Sequence, residues 1–203
     1  FVDHHSTFFC LLAVYSLLFA IKNEKNIFWI SIPIFLGFAF LSKQVPAFYI
    51  FLILSIIIII YLFTLNKIDP LKGILLGIIL FIFFLILLIF FGGIKFESFI
   101  NQYILYPQSI GNDRFSNFKP TFDGIVSHFK FIYISIAPFF FINLKLIISK
   151  KKFFEKKDFF YFITILLFTL SLIFHQFFTK NQTYIFFLIP LLVGFSHIAI
   201  NSI

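Results

Sequence analysis

Three cations in this sequence have the chemistry to hold a phosphate. Lys43 lies in "GFAFLSKQVPAFYIF", residues 37–51, between two long apolar runs. Arg114, the sole arginine, lies in the Gly-, Asn- and Pro-punctuated stretch "YPQSIGNDRFSNFKP". Lys180 follows His175 and Gln176 at the end of another apolar run. Lysine offers phosphate a point charge, and arginine offers a planar fork. Each cation also has a plainer reading. Lys43 in a tight turn can reach headgroup phosphates. Arg114 can pair with Asp113 or Asp123, or stand in water. His175, Gln176, Thr179 and Lys180 fall at i, i+1, i+4 and i+5, on one side of a helix end. That side either hydrogen-bonds neighbouring helices or forms the polar wall of an outward cavity. Asp3-His4-His5 resembles metal-ligand chemistry by composition alone. Adjacent histidines diverge on a helix, and no matching ligand pair follows closely. Nothing in the sequence resembles a P-loop, a Rossmann glycine motif or a Ser-His-Asp arrangement.

These residues need elements to position them, and composition says what kind. The 203 residues are 61% hydrophobic and 12% charged, with mean hydropathy +1.07. Soluble domains are nearer one-half apolar and one-quarter charged. Water could not solvate this much apolar side chain, so the expected solvent is lipid. The 38 Phe accompany abundant Ile, Lys and Asn and scarce Ala and Gly. That pattern is nucleotide bias more than an aromatic binding site. Cys10 is the sole cysteine, so no disulfide forms within the chain. Residue 1 is not methionine, and no basic n-region with a cleavage site is visible. The chain reads as a piece of a longer protein, truncated at least at the front.

Apolar runs separated by short polar clusters predict an all-α polytopic bundle of about seven spans in one domain, 1–203. The spans fall near 6–21, 27–42, 46–65, 73–93, 127–148, 159–179 and 183–200. Prolines 33, 138 and 190 lie inside spans, where neighbouring helices can satisfy the freed carbonyls. With the N-terminus outside, ten of the 16 cations fall in inner loops and six outside. The "SKKKFFEKKD" loop, 149–158, casts the strongest vote, because positive loops stay cytoplasmic. That Lys cluster is a topology determinant, not a nucleic-acid site. Residues 1–5 then face out, with Lys43, Arg114, His175 and Lys180. The outer segment near 94–123 opens with "IKFESFINQYILYP". Phe96, Phe99, Ile100, Tyr103 and Ile104 share one face, and Glu97, Ser98, Asn101 and Gln102 the other. This predicts an interfacial amphipathic helix on the outer face, ending before Pro107.

Three motifs in order now resemble a family. They are "FVDHHSTFFCLLAVYSLLF", then "GFAFLSK" of the form Gly-x-x-x-Leu-Ser/Thr-Lys, then "KNQTYIFFLIP". Together they resemble polytopic glycosyltransferases of the GT-C fold. The nearest branch is protein-mannosyltransferase-like, lipid A aminoarabinose transferase-like and rhizobial lipopolysaccharide transferase-like. The resemblance implies transfer of a sugar from a polyprenyl-phosphate donor at the non-cytoplasmic face. It matches Asp3 to the aspartate at the outer start of a helix and Lys43 to the motif-ending lysine. It matches Lys180 and Tyr184 to the residues opening the late Pro-containing helix. The His-His pair departs from the pattern. The family's principal acidic motif lies upstream of this stretch.

Physics supports that implication. A donor of this class presents an anion at the surface with its tail in lipid, and the anion needs cations at outer helix ends. Lys43, Arg114, His175, Lys180 and Tyr184 are the expected substrate-binding residues, with Asp3 the catalytic helper. No cofactor is fixed by these residues, and a divalent metal stays open. The expected place is the bacterial inner (plasma) membrane. A transporter or flippase for a lipid-linked saccharide would want similar cations, but also charges near the midplane. A non-catalytic membrane subunit is a third reading.

Overall fold

The computed structural model describes residues 2–116, 119, 121–149, 156–179 and 184–201. The chain folds as two compact units, Phe1–Asn117 and Phe118–Ile203. All regular structure among the described residues is helical. Among the described residues, four helices are long and apolar enough to cross a membrane: His4–Asn23, Gln44–Leu65, Asp69–Phe91 and Lys157–Phe178. Asn26–Ser42 and Ile185–Ile200 are shorter apolar helices. These features are compatible with an integral membrane protein.

The first unit opens with α1 (Val2–Asn23), α2 (Asn26–Ser42), α3 (Gln44–Leu65) and α4 (Asp69–Phe91). Their turns are short, so successive helices run antiparallel. Phe19 stacks on Phe28, and Phe9 meets Phe38, which aligns α1 against α2. Trp29 meets Tyr61 at 5.4 Å between ring centroids, which sets α3 against the start of α2. The turns after α1 and α3 close at the same end. There Glu24 and Lys67 form an ion pair at 2.6 Å. Glu24 and Asn66 take the left-handed conformation in these turns, which Asn tolerates well.

Helix α4 runs parallel to α2 and touches it through glycine. Gly73 and Gly77 are a small-xxx-small pair of the kind that lets two helix backbones approach closely. A Cβ on Gly77 would strike the Ile30 carbonyl oxygen and the Pro33 ring. A Cβ on Gly73 would come within 2.8 Å of Trp29 Cβ. Phe81 and Phe84 also meet the Phe38 ring of α2. The rest of α4 is little covered: its most apolar window is 6% buried. Its outward surface is Ile, Leu and Phe.

The predicted helix after α4 differs in one respect. The helical run does not stop before Pro107. It continues through α5 (Phe96–Ile100), a π-helical turn (Asn101–Leu105) and α6 (Tyr106–Ser116). Pro107 has no N–H for the Tyr103 carbonyl, and its ring crowds that carbonyl. Widening the preceding turn relieves the clash, and the Tyr106 N–H reaches back to the Asn101 carbonyl. The apolar stripe is real but partial. Phe99, Ile100, Tyr103, Pro107 and Ile110 are half-buried, while Glu97, Ser98, Asn101 and Gln102 are exposed. Phe99 and Tyr103 stack at 4.9 Å.

The second unit holds α7 (Phe122–Ile125), α8 (Lys130–Ser149), α9 (Lys156–Thr179) and α10 (Leu188–Ile200), with a 3-10 turn at Tyr184–Phe187. Thr121 caps α7 by accepting from the Gly124 N–H. Helices α8 and α10 pack together, and Phe162 of α9 meets the Phe139 and Phe140 rings of α8. Pro190 falls in the first turn of α10, where a missing N–H leaves no gap. Pro138 lies inside α8.

Candidate functional site

Lys43 breaks the chain between α2 and α3. Its backbone is extended, at φ −162° and ψ 129°, and Val45 is extended as well. Regular helix therefore resumes at Pro46, because the residue before a proline avoids helical angles. The Val45–Pro46 peptide is cis. The Lys43 N–H still closes α2 by donating to the Ala39 carbonyl at 2.9 Å. The Lys43 side chain is half-buried.

A serine ties this break to the start of α1. The Ser6 hydroxyl lies 3.0 Å from the Ala39 carbonyl oxygen and 3.0 Å from that of Lys43. One hydroxyl carries one proton, so it is shared between the two acceptors. Ser6 is fully buried. It sits one helical turn after Asp3. The structure thus brings the backbone turn carrying Asp3, His4 and His5 to the lysine break, 37 residues away in sequence. His4 and His5 are exposed there. The Asp3 side chain lies outside the described residues.

Of the other expected residues, His175 alone has its side chain among the described residues. Arg114 falls near the end of α6, and its side chain lies outside the described residues. Lys180 and the Tyr184 side chain also lie outside them. His175 belongs to α9 in the second unit and is fully buried. Gln176, its neighbour, is buried too, and its amide oxygen and nitrogen have no hydrogen-bond partner among the described residues. Thr164 and Thr169 satisfy their hydroxyls within α9, on the Phe160 and Ile165 carbonyls.

No group of three or more His, Cys, Asp or Glu side chains could hold a metal ion among the described residues. An open apolar groove of about 470 Å³ lies where α4 meets the following helix, lined by Ile86, Ile89, Phe90, Gly93, Ile94 and Phe96. It carries no polar side chain. Ser6 was not foreseen from sequence. Its signal, a serine one turn into an apolar helix, is common to many helices and names no partner. No family model matches the chain, and no curated protein or solved structure is detectably similar to it.

Proposed function

We propose that this chain is part of a glycosyltransferase acting at the non-cytoplasmic face of a bacterial inner membrane. The reaction moves a sugar from a polyprenyl-phosphate donor to a lipid, polysaccharide or protein acceptor. The observation that carries this reading is the Ser6 tie. It joins the lysine of "GFAFLSK" to the helix that opens with Asp3, and these are two of the three motifs on which the GT-C resemblance rests. A lysine there stabilises the negative charge that grows on the departing phosphate. Asp3 assists the acceptor hydroxyl as a carboxylate base. Arg114, His175, Lys180 and Tyr184 remain the sequence's further candidates for donor and acceptor contacts in this proposal.

The test is Lys43→Ala in the full-length protein, assayed in membranes with a radiolabelled polyprenyl-phosphate sugar and normalised to protein level. Loss of a contact made in the transition state lowers turnover by about 10²–10³-fold. A contact made only to the bound donor raises KM and leaves kcat alone. Wild-type values of both would refute the proposal.

A further inference from the structure

We propose that the apolar groove at the end of α4 seats one acyl chain of a phosphatidylethanolamine molecule, with Lys95 and Glu97 reading its zwitterionic headgroup. Helix α4 has 23 residues, so it is about 34 Å long and covers the roughly 30 Å of a hydrocarbon layer. The groove of about 470 Å³ begins in its last two turns, at Ile86, Ile89 and Phe90, and ends on Gly93, Ile94 and Phe96. It therefore lies where hydrocarbon gives way to headgroups, whichever compartment that end faces. Gly93 makes the bend that shapes it. Its φ of +61° is left-handed, a conformation glycine adopts without strain. Just after it, the Ile94 N–H returns to the Ile89 carbonyl at 3.1 Å, which folds the turn back onto α4. Phe90 and Phe96 stay largely exposed.

What surrounds the groove sets its occupant. The lining is apolar throughout, so the part of the occupant that enters it is hydrocarbon. Lys95 and Glu97 flank Phe96 in sequence, and both are exposed. Neither makes an ion pair among the described residues. An amphiphile satisfies both halves, with its chain along Ile86–Phe90 and its head at the level of residues 95–97. One charge of each sign favours a head that carries both. A lipid phosphate meets the Lys95 ammonium, and an ethanolamine ammonium donates to the Glu97 carboxylate. A choline head carries its positive charge with no N–H to donate. A glycerol head brings no cation to Glu97, so its phosphate charge meets a carboxylate unopposed.

The inference is independent of the transfer reaction. The test reconstitutes the whole chain, with Phe90→Trp as a reporter in the groove, in vesicles of phosphatidylethanolamine, phosphatidylcholine and phosphatidylglycerol in equal shares. One lipid at a time carries brominated acyl chains, and quenching of tryptophan emission reads which lipid occupies the groove. Trp29 is buried and lies against the opposite end of α4, so it adds a constant background. Brominated phosphatidylethanolamine should quench about two- to fivefold more effectively than either other lipid, the range that exposed charge pairs supply. A reporter on the exposed surface of α4 away from the groove, Phe83→Trp, should show no preference. Glu97→Gln should abolish the preference at position 90. The inference fails if the three lipids quench alike at position 90, if position 83 shows the same preference, or if Glu97→Gln retains it. Displacement of brominated phosphatidylethanolamine by a small share of polyprenyl phosphate would also overturn it, because the groove would then belong to an isoprenoid tail.

Discussion

Ser6 ties the lysine break to α1. Its hydroxyl is buried against two carbonyls at a place where the chain leaves helical geometry. Ser6→Ala removes one buried donor shared by the Ala39 and Lys43 carbonyls, which costs about 1–2 kcal/mol. The expected result is a lower thermal midpoint in detergent, together with faster amide exchange at Lys43. An unchanged midpoint would mean that the carbonyls find other donors. Lys43 itself was legible in the sequence, since a cation between two apolar runs calls for a partner. Ser6 was not, because its acceptors lie 33 and 37 residues away, and separation of that kind is invisible to local pattern. Gln176 was legible as an awkward group, and the structure leaves its amide buried without a hydrogen bond among the described residues.

At the scale of elements, two glycine positions separate contact from propensity. Gly77 lies against backbone of α2, which cannot yield as a side chain can. Gly77→Val should push α4 off α2 and destabilise the first unit by about 1–3 kcal/mol. Gly194, inside α10, has open space where a Cβ would stand. Gly194→Ala should be neutral or stabilise by about 0.5–1 kcal/mol, because alanine suits a helix interior better. Reversible unfolding of both variants in mixed micelles checks the contrast; equal effects would remove the glycine seam as the α2–α4 contact. The helical class was legible, for each apolar run lies largely on a helix; of these, four among the described residues are long and apolar enough to cross a membrane. Their pairing was not. Lipid and protein core are equally apolar, so a span shows little contrast between its inward and outward faces. The "GILLG" spacing was the available clue to α2 and α4. The π turn before Pro107 was missed because the proline reads as a stop, whereas a helix with room to widen absorbs it.

At the scale of the whole molecule, the all-helical class follows from composition: lipid leaves backbone groups no partner outside the helix. Orientation rests on the distribution of cations, and it can be measured. In a Cys10→Ser background, a cysteine at position 112 should react with an impermeant thiol reagent applied from outside, and one at position 153 should not. The opposite pattern would turn the Lys43 end toward the cytoplasm and end the donor-site proposal. Helix α4 bears on the same question through synthesis. Beyond the face of Gly73, Gly77, Phe81 and Phe84 that meets α2, what it presents outward is hydrocarbon. Such a segment leaves the translocation channel for the bilayer on its own account, before its neighbours are complete. Its length and hydropathy are those a stop-transfer segment needs. A crossing by α4 would commit the loops on its two sides to opposite compartments while the second unit is still unmade.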